Sequence, residues 1–398
     1  MALGRRLFLA WGLSVVSSGA LACGGAGSNT GENTVESGDI GEATSQGEAG
    51  EVGEVGGGDM GVEGACVGFD ERFVLEEVPS LPPAILADEI AFALTPDGRP
   101  AVAYRAMEDG IEKLIYTERA PGGAWEETSL TAGGALSGLA LAFSSDGRPH
   151  LLHAASVPGA QTVLRVREGS EWGSTVVSAQ GSKKNDLFTA PDGSVHGIFS
   201  EGGVVLLLRP DGADGWETVW LNTASPDPVL MVSSGLGIDA VYDDDGVMHA
   251  SHSVSTGALV HSALDADLPM NTEIGATSNE ELTAIAVDGS GGLHVAFHRA
   301  TPEELTVASL GTGGWTLSSV EAGASSAGLL ISQVDRFHLF HIDAAGELRY
   351  GSADGAVPSL LDGVVGPVGR ARYAIDEQGR PHFLTRAGDQ LCWGSLAP

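Results

Sequence analysis

The chain has 398 residues and a formal net charge of −33, with 20 basic and 53 acidic residues. Such an acidic surface repels phosphate backbones and anionic lipid headgroups, so we exclude nucleic acid as a partner. The 58 glycines suit a fold built from tight turns.

The first 22 residues have the pattern of a signal peptide. Arg5-Arg6 supply the positive region, Leu7 to Val16 the apolar run, and Gly19 to Ala22 the small-residue cleavage site. The apolar run is short for a membrane-spanning helix. We therefore predict export, with residues 1–22 removed.

Ala20-Leu21-Ala22-Cys23 resembles the bacterial lipobox, which implies that Cys23 is lipidated and anchors the protein to the membrane. Arg5-Arg6-Leu7-Phe8-Leu9 also resembles a twin-arginine export signal. An ordinary signal peptide, with arginines present only for charge, is the alternative. Residues 23–65 are expected to be the lipidated cysteine and a disordered, acidic Gly/Glu-rich tether. The protein would then face the periplasm or the cell surface.

A short phrase recurs seven times after the tether: an Asp-Gly turn, two residues, then usually His and an apolar strand. Examples are SSDGRPHLLH from Ser144 and DEQGRPHFL from Asp376, and the sixth copy, from Gln333, has lost the Gly. A period of 44 to 53 residues with several strands per unit is typical of a β-propeller. The sequence predicts an all-β fold over residues 66–398, a seven-bladed propeller of four-stranded blades. The histidine position is occupied in turn by Ala101, His150, His196, His249, His294, His338 and His382.

The second repeat shows the four predicted strands of a unit. They are Leu139–Phe143, His150–His153, Val163–Val166 and a strand from Trp172 to Val177. The Asp146-Gly147 turn joins the first two, because glycine tolerates the positive φ that a tight hairpin requires.

The two ends of the predicted propeller have complementary features. The last unit stops after its third strand, at residues 391–394, and a surplus strand at residues 73–78 precedes the first unit. We predict that the surplus strand is the outer strand of the last blade, which removes exposed sheet edges. Cys66 and Cys392 flank this junction, so we predict a disulfide between them. The alternative is two unrelated buried thiols.

The pattern Asp-x-x-Gly-x-x-His, as in Asp376 to His382, resembles a propeller repeat found in bacterial lipoproteins and similar in appearance to sialidase-like and lectin-type propellers. The resemblance covers residues 66–398. It implies the fold, but it fixes function only loosely, because propellers host binding, scaffolding and catalysis. The sialidase Asp-box is not matched, which argues against a sialidase.

The histidines invite a metal hypothesis, with pairs such as His150/His153 and His249/His252. Side chains three apart on a strand point to opposite faces, so such a pair cannot chelate one ion. We expect the repeated histidines to bond a turn or the adjacent blade. The run Asp243-Asp244-Asp245 lacks the remaining ligands of a calcium loop. No metal and no cofactor are expected.

The starts of the innermost strands differ between repeats, and these strand starts frame one mouth of the central channel. Basic residues are scarce, so their presence here favours a polar ligand site. Charge pairing between blades is the alternative. The candidate ligand-binding residues are Lys184, Asp186, Asp239, Glu281, Arg370 and Arg372.

These observations favour a monomeric cell-envelope lipoprotein whose propeller is a non-catalytic binding module for a glycan or an envelope protein. No catalytic residues are assigned. The alternative is a polysaccharide hydrolase or lyase on the same scaffold. A cluster of carboxylates and arginine with perturbed pKa values would favour the enzyme.

Overall fold

The structure is a computed structural model. The residues it describes are 66, 70–79, 85–108, 110–132, 136–156, 159–182, 184–201, 204–212, 215–221, 237–254, 257–265, 268–277, 283–322, 326–331, 336–355, 358, 363–367, 371–387 and 390–397. The chain divides into two units between Asp59 and Met60, and every described residue belongs to the second unit. The predicted signal peptide, the predicted lipidation site Cys23 and the predicted tether therefore lie outside the described residues. Within the described part, no helix is long and apolar enough to cross a membrane.

The described residues form 28 strands arranged in seven four-stranded antiparallel sheets. Sheet 1 contains β2 (Ile85–Leu94), β3 (Pro100–Glu108), β4 (Ile111–Arg119) and β5 (Trp125–Ala132), and sheet 2 contains β6 (Leu136–Phe143), β7 (Pro149–Ala155), β8 (Gln161–Glu168) and β9 (Glu171–Ser178). Sheet 3 contains β10 (Asn185–Thr189), β11 (Val195–Glu201), β12 (Val204–Pro210) and β13 (Trp216–Trp220), and sheet 4 contains β14 (Ile238–Tyr242), β15 (Met248–Ser253), β16 (Ala258–Asp265) and β17 (Leu268–Ala276). Sheet 5 contains β18 (Ala284–Val287), β19 (Leu293–Ala300), β20 (Glu303–Gly311) and β21 (Gly314–Ala322), and sheet 6 contains β22 (Ser326–Ile331), β23 (Arg336–Ile342), β24 (Glu347–Asp354) and β25 (Gly363–Pro367). Sheet 7 contains β26 (Ala371–Ile375), β27 (Pro381–Ala387), β28 (Gln390–Leu396) and β1 (Phe73–Val78).

The sheets are arranged as a ring. The first strands of the sheets, β2, β6, β10, β14, β18, β22 and β26, lie side by side in that order, and β26 lies against β2. These inner strands surround a central channel. The prediction of an all-β propeller with four-stranded blades is confirmed, and the predicted strands of the second repeat fall within β6 to β9.

The closure prediction is also confirmed. β1 pairs antiparallel with β28, in the register Phe73↔Leu396 to Val78↔Leu391, and it is the outermost strand of sheet 7. Cys66 and Cys392 form a disulfide with a Cα–Cα distance of 5.7 Å. The first and last parts of the propeller are therefore joined by a hydrogen-bonded ladder and a covalent bond.

The core lies between sheets, because alternating side chains of each inner strand face opposite neighbours. Leu141 and Phe143 pack with sheet 1, whereas Ala142 packs with sheet 3. The Asp-Gly turns end the inner strands. In sheet 2, the N–H of Gly147 donates to the carbonyl oxygen of Ser144 at 2.8 Å, and Gly147 has a φ of 84°.

Candidate functional site

The repeated histidines bond the turns, as the sequence predicted. Nε2 of His382 lies 3.1 Å from Oδ2 of Asp376, and Oδ1 of Asp376 accepts the N–H groups of Gln378 and Arg380 at 3.0 and 2.8 Å. One carboxylate therefore holds both the turn and the histidine of the next strand. The same His–Asp contact occurs at 3.1 Å for His249 and 2.9 Å for His294.

Where the turn lacks an Asp at its first position, the partner of the histidine differs between sheets. In sheet 3 that position is Ala190, and Nδ1 of His196 lies 2.8 Å from the hydroxyl oxygen of Tyr242 in sheet 4. Among the described residues, no group of three or more His, Cys, Asp or Glu side chains is placed to hold a metal ion.

The inner strands carry one layer in which the sheets differ. The pairing of each inner strand with its neighbour aligns seven residues, each two positions before the partner of the repeated histidine position. Four of these residues are small and three are charged. In sheet order they are Ala91, Ala140, Asp186, Asp239, Ala284, Gly328 and Arg372.

Three of the predicted site residues, Asp186, Asp239 and Arg372, thus occupy equivalent positions around the channel. Lys184 comes just before β10, and its carbonyl oxygen accepts the N–H of Ser200 at 3.1 Å. Glu281 and Arg370 lie outside the described residues, so the proposed pairing of Arg370 with Arg372 stays a prediction.

Asp186 and Asp239 are hydrogen-bonded to each other. Burial raises the pKa of Asp186 to about 6, although the nearby Arg372 guanidinium acts in the opposite direction. Burial raises the pKa of Asp239 well above its usual range, and the charge of Asp186 raises it further. The two carboxyls therefore titrate as a pair, and Asp239 is the member that holds a proton more tightly.

Asp239 also joins two inner strands. Its Oδ1 accepts the N–H of its neighbour Ala240 at 2.9 Å, and its Oδ2 accepts the N–H of Ile285, in sheet 5, at 2.7 Å. Asp239 therefore braces sheets 4 and 5 in addition to its contact with Asp186. The alternative from the sequence was charge pairing between blades, whereas this contact with sheet 5 is made to a backbone N–H group.

The Asp pair opens on a cavity of about 560 Å³ within the channel. Inner strands of sheets 1, 2, 3, 4 and 7 line it, and they place aromatic rings on its walls. These rings belong to Phe92, Phe143, Phe188 and Tyr373. A cavity with apolar walls and a few polar groups can bind and orient a small polyhydroxylated molecule.

Sequence reasoning missed a second and larger cavity, of about 1100 Å³, between sheets 2 and 3. Its walls include Trp172 and Trp216, each near the start of the outer strand of its sheet. The recurring Trp was the available signal. It did not reveal the cavity, because the space between two sheets depends on how they pack.

No protein-family model and no curated protein sequence matches this chain. Among solved structures, the BP39L lectin from Burkholderia pseudomallei is similar, with a TM-score of 0.52 and 15% identity over 79% of this chain and 100% of that chain. A PL25 polysaccharide lyase, an ulvan lyase, has a TM-score of 0.54 and 9% identity, over 80% of this chain and 95% of that chain. BBS1N in complex with ARL6DN has a TM-score of 0.52 and 15% identity, over 82% and 98% of the two chains. At these identities the chain shares a β-propeller fold with all three proteins.

Proposed function

We propose that this protein is an exported lipoprotein whose propeller binds a glycan, without catalysis, at the mouth of the central channel. The single observation that carries the proposal is the layer of the channel in which Asp186, Asp239 and Arg372 replace small residues. In this layer the ring of otherwise similar sheets has polar groups on one side only. An asymmetric ligand requires such an asymmetric binding surface. Carboxyl and guanidinium groups are good partners for sugar hydroxyls.

The pKa values of both carboxyls in the pair are raised. In the sequence analysis, a cluster of carboxylates with perturbed pKa values was the feature that would favour an enzyme. The geometry of the pair opposes hydrolysis. The carboxyls of glycosidases flank the scissile bond and stand roughly 5 to 9.5 Å apart. Asp186 and Asp239 instead hydrogen-bond each other, so no glycosidic oxygen fits between them. Asp239 also accepts two backbone N–H groups, which leaves it little capacity as a base.

The three similar propellers comprise a lectin, a polysaccharide lyase and a component of a protein complex. The names of the first two connect them with carbohydrate, which supports a glycan ligand. A protein partner would favour a broad apolar patch. The exposed large apolar side chains among the described residues instead lie on strands of several different sheets, for example Val74, Ile111, Val176 and Met270.

The anchor is the second part of the proposal. A lipid on Cys23 and an acidic tether would hold the propeller close to the membrane without embedding it. Cys23→Ser should move the protein from the detergent phase to the aqueous phase in a Triton X-114 partition of cell extracts. Retention of the variant in the detergent phase would contradict lipidation at this residue.

The binding proposal is tested on a glycan array with full-length protein carrying Cys23→Ser, which avoids the lipid. We expect Arg372→Ala, alone or with Arg370→Ala, to abolish at least one of the wild-type glycan signals while the melting temperature changes little. Arg380→Ala is the matched control, because Arg380 lies in the same sheet but beyond the opposite end of its inner strand. A wild-type protein that binds no glycan, or an Arg372→Ala variant that binds normally, would contradict the proposal.

A further inference from the structure

The larger cavity is a groove between sheets 2 and 3, on the rim that carries the Asp-Gly turns. One wall is formed by β8 and β9 of sheet 2, including Val166 and Trp172. The opposite wall is formed by two turns of sheet 3, around Asp192 and Gly212, together with Trp216. The inner strands run from the channel mouth to these turns, so the groove and the Asp186–Asp239 pair lie near opposite ends of β10.

A buried histidine with an unused acceptor lines this groove. His150 is 5% exposed, and its Nδ1 donates to the carbonyl oxygen of Arg148 at 3.0 Å. That bond leaves the lone pair on Nε2. Burial lowers the pKa of His150, so the ring is neutral at pH 7. Among the described residues the His150 side chain makes only this hydrogen bond, and it lines the groove.

The reason for the unused acceptor is a substitution in the turn. His249, His294 and His382 each place Nε2 against the Asp that begins their own turn. In sheet 2 that position is Ser144, whose hydroxyl donates to Asp146 at 2.5 Å. The Asp that pairs with Nε2 of the histidine in sheets 4, 5 and 7 is therefore missing in sheet 2, where the His150 side chain lines the groove instead.

Two tryptophan side chains line the groove together with His150. Trp216 packs edge-on against His150, with ring centroids 6.0 Å apart and an interplanar angle of 71°. Trp172 forms part of the other wall, fixed edge-on against Tyr116 at 5.0 Å. Both indoles are half-buried, so each keeps part of its ring surface open. Such rings bind the C–H faces of sugar rings as well as they bind other apolar groups.

The charges around the groove restrict its occupant. Four carboxylates, from Asp146, Glu168, Glu171 and Asp192, line the groove with one guanidinium, from Arg148. Arg148 is 48% exposed and is held by Asp146 at 2.8 Å. An anionic ligand would be repelled, whereas a neutral ligand with several hydroxyls would find both donors and acceptors.

We propose that the groove between sheets 2 and 3 is a second ligand site, which takes a neutral pyranose ring. Nε2 of His150 accepts a sugar hydroxyl, Trp216 and Trp172 contact the ring faces, and Arg148 donates from the rim. This site uses neither the Asp186–Asp239 pair nor Arg372, although Ser144 and Ser145 line both the groove and the channel cavity. The protein would therefore hold a glycan at two places, or two glycans at once.

The test uses the methyl glycosides of glucose, galactose, mannose, fucose and rhamnose as probes. Each is titrated into full-length Cys23→Ser protein and followed by tryptophan fluorescence and saturation-transfer NMR. We expect at least one glycoside to bind, and His150→Phe and Arg148→Ala to weaken it by about tenfold each, the effect of one lost hydrogen bond. His150→Phe retains an aromatic ring against Trp216, and Arg148→Ala changes an exposed side chain, so at least one variant should fold.

Arg380→Ala is again the matched control, since Arg380 follows the Gly of its own turn as Arg148 does and does not line the groove. The proposal is overturned if no glycoside saturates the wild-type protein below about 20 mM, a free energy of only some 2 kcal/mol. It is also overturned if both groove variants bind like Arg380→Ala. Loss of binding in Arg372→Ala alone would place the ligand in the channel, which rejects the groove site but leaves the proposed function intact.

Discussion

The buried histidines should make the propeller unstable in mild acid. Burial lowers the pKa of His153, His252, His261 and His338 to about 4 in each case. An unfolded histidine titrates near pKa 6.5. Between these values the unfolded chain binds more protons than the folded chain. The free energy of unfolding must therefore fall as the pH decreases from about 6.5 toward 4.

The magnitude follows from the two pKa values. At pH 5 each of these histidines removes about 2 kcal/mol of stability relative to pH 7.5, and the four together remove about 8 kcal/mol. That is comparable with the whole stability of a typical folded domain. Burial also lowers the pKa of His341, to about 4, but its Nε2 lies 3.2 Å from a carboxylate oxygen of Glu321, whose negative charge favours the protonated ring and reduces the contribution of His341 to the loss.

Asp186 and Asp239 act in the opposite direction. Because their folded pKa values are raised, protonation in mild acid favours the folded state, and this offsets part of the loss. The carboxylates of the turns, such as Asp288 with a pKa of about 2, lose their contribution only at lower pH. The histidines therefore decide the sign between pH 6.5 and 5.

The assay is urea unfolding, monitored by tryptophan fluorescence, at pH 7.5 and pH 5.0 in buffers of equal ionic strength. We expect the free energy of unfolding to drop by several kcal/mol. In His252→Gln the drop should be about 2 kcal/mol smaller, whatever the variant's own stability. A wild-type free energy that agrees within about 1 kcal/mol at the two pH values would refute the reasoning.

Three further predictions concern closure, the turns and the channel wall. Replacing Cys66 and Cys392 with Ser should lower the free energy of unfolding by up to about 6 kcal/mol, because the disulfide closes a loop with a sequence separation of 326. Equal urea midpoints for the variant and the oxidised wild type would reject this stabilising role of the disulfide. Asp376→Ala should lower the free energy of unfolding in urea by about 2–4 kcal/mol, since the Asp376 carboxylate accepts two backbone N–H groups and contacts a histidine. A decrease under about 0.5 kcal/mol would show that the turn does not need this carboxylate. Gly328→Ala should lower the melting temperature, because the new Cβ would lie 2.1 Å from a ring carbon of Tyr373. Adding Tyr373→Ala should remove that clash. A Gly328→Ala variant as stable as wild type would contradict the close approach.

The sequence by itself determined much of the architecture. The Asp-Gly turns and the alternating strands are local patterns, and their repetition predicted four-stranded units of a propeller. The surplus strand at residues 73–78 and the missing last strand predicted the pairing of β1 with β28, and the positions of Cys66 and Cys392 predicted the disulfide. Each inference needed only turn chemistry, a period of two residues, or the two ends of one repeat array.

Only the tertiary structure decided which distant side chains meet and which are buried. Asp186 and Asp239 lie one repeat apart in sequence, and the ring brings them into a hydrogen bond while their burial shifts both pKa values. The groove at His150 likewise depends on the space between two sheets. Neither the Asp186–Asp239 pair nor the groove could be predicted from the sequence. The pattern of a strand determines on which face of the sheet a side chain lies. Which residues lie opposite that face depends on ring closure and on the packing of the sheets.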